Sequence, residues 1–320
     1  MKTWKNSILV IVLVLAACLI GTTVYAAKCL YISSYHKGYA WSDGVEKGLL
    51  PELEGKCEFK QFDMDTKRKK TDELKKEAAL QAKGVIESFQ PDVVIVSDDN
   101  AVKYLVMPYY KNAELPFVFC GVNWTVDKYE LPYKNVTGMI EVSPITAQIN
   151  VAKSVVPGMK KVFYLDSDNT TGQKTVKYYQ ELFEGKGYAF SARLVKTFDE
   201  WKNAFMEGQQ YDAVILRNNS GIENWNDAEA AQFALENSTK LSMTESDWLM
   251  PVTLLGMTKV PEEQGVWAGK TAVNILKGAD PGKIKLVKNR KSNIFVNKAL
   301  SEKIKVELPA SIMKQATIIE

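Results

Sequence analysis

One histidine, His36, is all that the 320 residues provide of the side chain most used for proton transfer. It stands at no motif spacing from a nucleophile–base set or a metal-ligand set. Its expected role is a structural hydrogen bond within its turn. The sequence also lacks a P-loop, a nucleophile elbow and a metal-ligand cluster. A calcium loop would need a fuller oxygen-ligand pattern than the chain shows. These absences leave no residue to assign as catalytic or metal-binding and imply no cofactor; an exported enzyme is disfavoured. Nucleic-acid binding is equally unsupported. The formal charge is +3, and setting aside the first 26 residues removes Lys2 and Lys5 and leaves +1, far short of a basic face. There is no Gly/Ser-rich linker and no low-complexity tract.

Long apolar runs are confined to the N-terminus. Lys2 and Lys5 precede an apolar stretch from Ile8 to Ile20, and Val24-Tyr25-Ala26 forms a small-residue cleavage signature before Ala27. The stretch is shorter than the roughly 20 residues a spanning helix prefers. Residues 1–26 therefore read as a cleaved signal peptide, and the product as periplasmic or otherwise extracytoplasmic. Leu15-Ala16-Ala17-Cys18 offers a competing reading as a lipobox, with lipid anchoring at Cys18.

Cysteine is scarce too. Cys120 ends an apolar strand and reads as a small core residue. Cys29 and Cys57 each open a strand. If those strands are parallel neighbours, their starts lie about 5 Å apart, within disulfide reach, and an oxidising compartment permits the bond. Two unpaired buried thiols remain the alternative.

What the chain does have is a repeating unit. Lys28–Asp43, KCLYISSYHKGYAWSD, runs from a short apolar strand through a polar, aromatic turn into a helix. The same order recurs after Lys56–Asp63, Val93–Val96 and Pro116–Cys120, with helices over Thr71–Phe89 and up to about Tyr110. Val93-Val94-Ile95-Val96 is a continuous apolar run, the mark of a strand buried on both faces. A further strand, Val136–Val142, leads through Ser143-Pro144 to a helix ending near Val156. A second series follows, with strands at Lys161–Leu165, Tyr188–Val195, Ala213–Leu216, Leu241–Met243 and Val252–Leu255, a helix over Glu262–Leu276, a late strand at Ser292–Val296 and a short tail. Serial βα units predict parallel sheets, and right-handed crossovers put the strand-end loops of each lobe on one rim. The fold class is α/β, with two doubly wound parallel-sheet lobes and a hinge whose first crossing is Val142-Ser143-Pro144.

Four segments carry a specific resemblance: Ser34–Asp43, Met64-Asp65-Thr66-Lys67, Ser97-Asp98-Asp99-Asn100-Ala101 and Pro116–Asn123. Together they resemble the ABC-transporter substrate-binding protein family, with the type I periplasmic-binding-protein fold, a family that includes aromatic amino-acid binders. Gln264-Gly265 and Leu308-Pro309 also fit. The module is similar to the extracytoplasmic sensor domains of some histidine kinases. The resemblance implies that the chain returns to the first lobe late and crosses back again. The N-terminal lobe would be 27–142 plus about 257–285, and the C-terminal lobe 143–256 plus about 286–320. It implies a receptor that closes on a small solute and hands it to a membrane permease, with a sensor kinase as the alternative partner. The expected receptor is a monomer, and the rim's aromatics, carboxylates, amides and one Arg make an amino acid or aromatic compound the expected solute class. The second lobe departs most, at Arg217-Asn218-Asn219 and Glu245-Ser246-Asp247-Trp248.

Ligands of open α/β sheets sit beyond the carboxyl ends of strands, which selects the candidate site. Tyr35, Tyr39 and Trp41 offer aromatic faces; the competing role is to cap and fill the lobe's own core. Ser34, Ser97, Asp98, Asp99 and Asn100 carry oxygens able to cap the next helix or to meet a ligand amine or hydroxyl. One or two of the Ser97–Asn100 group are expected to cap, and at least one to face the cleft. Asn123 and Trp124 share that rim. On the second lobe, Ser167 and Thr171 open a helix and can donate to a carboxylate, and Arg217 is a candidate carboxylate clamp.

Overall fold

The computed structural model describes residues 27–320, and of residues 170 and 171 the backbone only. The signal-peptide reading and Cys18 fall outside the described residues, as does the side chain of Thr171.

The first lobe is built on a six-stranded sheet. Its strands are β1 (Lys28–Ser33), β2 (Glu58–Asp63), β3 (Val93–Ser97), β4 (Phe117–Asn123), β5 (Val136–Glu141) and β11 (Val287–Lys288), in the order β11-β5-β4-β3-β1-β2. All its pairings are parallel. Alternation along the central strands explains the sandwich. Leu30, Ile32, Val94, Val96, Phe117 and Phe119 share one apolar cluster, whereas Cys29, Tyr31, Val93, Ile95, Val118 and Cys120 share another. Both faces are therefore covered, and the apolar run at β3 is buried throughout.

Helix α1 (Ala40–Leu53) follows β1, and α2 (Asp72–Phe89) follows β2. Thr71 caps α2 by accepting from the Leu74 amide. After β3, helix α3 starts as Asp98–Ala101 and continues through a π-helical turn, Val102–Val106, to Met107–Tyr109.

The second lobe carries a seven-stranded sheet in the order β13-β12-β10-β9-β8-β6-β7. These are β6 (Lys161–Ser167), β7 (Ala189–Val195), β8 (Ala213–Leu216), β9 (Leu241–Thr244), β10 (Leu255–Lys259), β12 (Ser292–Asn297) and β13 (Ala316–Ile319). Its helices are α4 (Ile145–Val155), α5 (Thr170–Glu184), α6 (Phe198–Gly208) and α7 (Asp227–Asn237). Thr197 and Glu200 form a capping box at the start of α6.

Two expectations change here. The stretch Val252–Leu255 is not a strand: Asp247–Val252 is a 3-10 helix containing Pro251, which cannot donate to a sheet ladder, and β10 begins only at Leu255. The end is not a plain tail, because α9 (Lys298–Ile304), α10 (Ala310–Met313) and β13 close the sheet edge, with β12 antiparallel to β10.

The chain passes between sheets three times: between β5 and β6, between β10 and β11, and between β11 and β12. After the second passage, α8 (Pro261–Leu276) packs on α1 of the first lobe. The contact requires glycine. A Cβ at Gly48 would fall 2.2 Å from the Glu262 carbonyl oxygen, and one at Gly265 would fall 2.0 Å from that of Val45. Cys29 and Cys57 form a disulfide across β1 and the loop before β2, with Cα atoms 5.9 Å apart.

Candidate functional site

The loop after β1 and the turn after β2 are zipped together. The amides of Met64, Asp65 and Thr66 donate to the carbonyls of Ser33, Tyr35 and Ser34. Thr66 Oγ1 donates to the Ser34 carbonyl and accepts from Asn100 Nδ2 at 2.8 Å. Ser34 Oγ donates to the Ser97 carbonyl and accepts from the Ala101 amide, and Tyr31 donates to Ser97 Oγ. Ser34, Ser97 and Asn100 thus hold the rim of the first lobe in shape. His36 Nδ1, in the loop after β1, lies 3.2 Å from Asp65 in the turn after β2 but makes no hydrogen bond among the described residues, so the bond expected within its own turn is not formed.

Asp99 and Asn123 are also joined. Asp99 accepts from the Asn123 amide and Nδ2, and from Tyr129 Oη at 2.6 Å, with Lys128 Nζ at 3.0 Å. Burial raises its carboxyl, but these donors outweigh burial and hold it below the ordinary range. Trp124 stacks on Tyr178 of α5, centroids 5.4 Å apart and planes 6° from parallel, which makes it a contact between lobes.

Asp98 is different. It is 1% exposed, and Oδ2 has no hydrogen-bond partner among the described residues. Burial pushes its carboxyl well above the ordinary range, and Glu141 adds to the rise. Gly121 leaves room beside it: a Cβ there would stand 3.0 Å from Asp98 Oδ1, and its φ is +73°. The Gly121 amide donates to Gln264 Oε1, while Gln264 Nε2 is buried without a partner. Trp41 Nε1 is likewise buried and unpartnered.

Between the lobes lies a charge cluster. Lys259, the last residue of β10, pairs with Glu141, the last residue of β5, and stands 5.4 Å from the Trp41 ring centroid. Ser143 donates to Glu245, which follows β9. Burial raises the carboxyls of Glu141 and Glu245, with Lys259 acting against the rise. Burial alone would lower Lys259, but the two glutamates outweigh it and hold the ammonium charged. On the second lobe, Arg217 Nε is buried with no hydrogen-bond partner among the described residues, and its guanidinium acts on Asp166, whose carboxyl burial raises. Asp166 accepts from Tyr164 Oη at 2.6 Å. Ser167 is engaged locally, accepting from Asn169 Nδ2.

Glu141, Lys259, Glu245, Asp166 and Gln264 were not among the sequence candidates. The signal existed for the first four: each ends or immediately follows a strand, or stands one residue from its end. Gln264 sits on a helix that arrives from the other lobe and leaves no such local mark.

Two α/β lobes joined by three crossings, with unpartnered polar groups at facing strand ends, define a type I periplasmic binding protein. Residues 34–319 match the family described as ABC transporter substrate binding protein, and the chain belongs to that family. Solved structures show the same fold. The ligand-free, open structure of a substrate-binding protein with adhesive properties from Clostridium difficile is 13% identical, with a TM-score of 0.72 over 92% of this chain and 99% of that one. A conserved domain protein from Vibrio cholerae is 17% identical, with a TM-score of 0.60 over 92% of this chain and all (100%) of that one. A domain from Streptococcus pneumoniae in complex with L-Trp is also 17% identical, with a TM-score of 0.57 and coverage of 92% and 100%. No match was found among curated protein sequences. Substrate-binding proteins are not enzymes. Among the described residues, no helix is long and apolar enough to cross a membrane, and no cluster of three or more His, Cys, Asp or Glu could hold a metal.

Proposed function

We propose that the protein is the extracytoplasmic receptor of an ABC importer. It closes its lobes on a small organic solute that carries an ammonium group, a carboxylate and an apolar or aromatic body, and delivers that solute to a membrane permease. One observation carries this reading. Asp98 Oδ2 at the rim of the first lobe and Arg217 Nε at the rim of the second are both buried with no hydrogen-bond partner among the described residues, one on an acid and the other on a base. An α-amino acid supplies the complementary pair. Tyr35 and Trp41 flank the acidic side and suit an aromatic body, and a structural relative is known in complex with L-Trp. Ser34, Ser97, Asp99, Asn100 and Asn123 support the site by fixing its loops, and Tyr39 extends its aromatic wall. Binding stabilises the closed form by differential affinity. Export by cleavage before Ala27 belongs to the same proposal; the first described strand starts one residue later, at Lys28.

The test is a thermal-shift screen of residues 27–320 against amino acids, the matching amines and the matching carboxylic acids. A true solute at a hundredfold excess over its Kd stabilises the fold by about 2.7 kcal/mol. A hit confined to zwitterions, recovered unchanged after incubation, supports the reading. Shifts with none of them, or turnover of the hit, refute it.

A further inference from the structure

Lys67 lies in the turn after β2, and its ammonium is not paired with a carboxylate among the described residues. Nζ instead stands 4.4 Å from the Tyr35 ring centroid and 4.7 Å from that of Tyr39. The two rings meet edge to face, 5.1 Å apart. Such a pair is a cation-binding surface, and here the protein's own cation occupies it. The arrangement is anchored, because the Asp65 and Thr66 amides tie the turn to the Tyr35 and Ser34 carbonyls. The Lys67 side chain itself is exposed. The subsite is acidic: the charge of Lys67 reaches Asp98 and Glu141, and Asp98 Oδ2 is buried and waiting for a donor.

We propose that Lys67 is a tethered competitor that covers the ammonium subsite formed by Tyr35, Tyr39 and Asp98 in the empty protein, and that an incoming solute ammonium displaces it. This rests on the reading of the solute as an amine. A cation on a four-carbon stem, held by aromatic faces and no ion pair, is a weak occupant. It screens the buried carboxyl from inorganic cations and yields to a ligand that adds further contacts. The apparent affinity is then lowered by the fraction of protein in which Lys67 sits over the rings. The opposite assignment, Lys67 as a clamp for the solute carboxylate, predicts the opposite sign on its removal.

The experiment compares wild type with Lys67→Met by calorimetry at low salt, using tryptamine, L-tryptophan and indole-3-propionate as probes. Relief of competition tightens tryptamine and L-tryptophan by about five- to twentyfold and leaves indole-3-propionate unchanged. Unchanged or weaker binding of the two amines by the variant overturns the proposal while the receptor reading stands. A second measurement needs no solute. In protein whose lysines are 13C-dimethylated, Lys67 over the two rings gives an upfield-shifted methyl signal. That signal is absent from Lys67→Met and returns to the ordinary position on saturation with tryptamine. Absence of the shifted signal in wild type overturns the proposal by itself. A shifted signal with no binding of any of the three probes overturns the amine reading of the solute, and the displacement step with it.

Discussion

Replacing Lys259 by Met should destabilise the protein in a way that depends on pH. The side chain is 28% exposed and pairs with Glu141, which is 5% exposed, while Glu245 stands close enough to be held down by the same ammonium. Methionine keeps the stem and removes the charge, leaving two buried carboxyls without their cation. Breaking a buried pair in this way costs about 3–5 kcal/mol. Partial exposure of the lysine argues for the lower end, about 3 kcal/mol at pH 8. The sign with pH follows from the carboxyls. Both have folded values raised above the ordinary 4.5, so the stability they contribute is present below that value and lost as pH rises through the raised one. Without Lys259 both rise further. The deficit of the variant therefore grows as pH rises and shrinks as pH falls. Lys259 itself is raised above 10.5, so its own contribution persists across this window. Urea unfolding of both proteins at pH 5 and pH 8, followed by tryptophan fluorescence, reads the difference as a shift in midpoint. A deficit equal at the two pH values, or below about 1 kcal/mol at pH 8, would refute this account of the cluster.

Three further outcomes are expected. Solute binding at Asp98 should release a proton, because burial keeps its carboxyl well above the ordinary range and an ammonium partner demands the ionised form; affinity then falls as pH drops through the raised value, calorimetry in two buffers counts the proton, and Asp98→Asn abolishes the release and weakens binding by about 2–5 kcal/mol. Cys57→Ser opens a disulfide that spans 28 residues, and loop entropy puts the loss at about 3.6 kcal/mol, measurable in urea with and without reductant. Gly48→Ala drives a Cβ to 2.2 Å from the Glu262 carbonyl oxygen, a backbone atom that cannot rotate away, so separation of α1 from α8 should lower stability by about 1–3 kcal/mol or more; a melting temperature equal to wild type would show that the helices adjust freely.

The βα repetition was legible because each unit carries its own local signals. Val93–Ser97 announces a doubly buried strand by composition, and Thr71 announces a helix start by capping chemistry. What escaped was non-local. Val252–Leu255 looks like a strand in isolation, but Val252 closes a 3-10 turn with Leu249 and Met250 buried beside it, and the strand begins only at Leu255. The final strand β13 gains its identity only from β12, which is itself antiparallel to β10. Aromatic and small polar residues drew attention at the rims, yet many of them brace the loops instead of facing the cleft.

The charges make the stronger argument once topology is known. Asp98, Glu141, Asp166, Arg217, Glu245 and Lys259 come from six different strand ends, and Glu141 and Lys259 are 118 residues apart in the chain. No window of sequence contains that pair. Each member nevertheless obeys one rule, that a charged residue at the carboxyl end of a buried parallel strand faces the ligand side. Applied to charge, the rule selects these four carboxyls and two cations, and also Asp168 just after β6, whose carboxyl Gln173 and Lys196 hold low. The four carboxyls of the cluster are all raised by burial, which disfavours their charged forms in the empty cleft. A site with a surplus of desolvated acid gains most from a ligand that brings positive charge. That is an independent reason, separate from the unpartnered oxygen of Asp98, for the solute to carry an ammonium group.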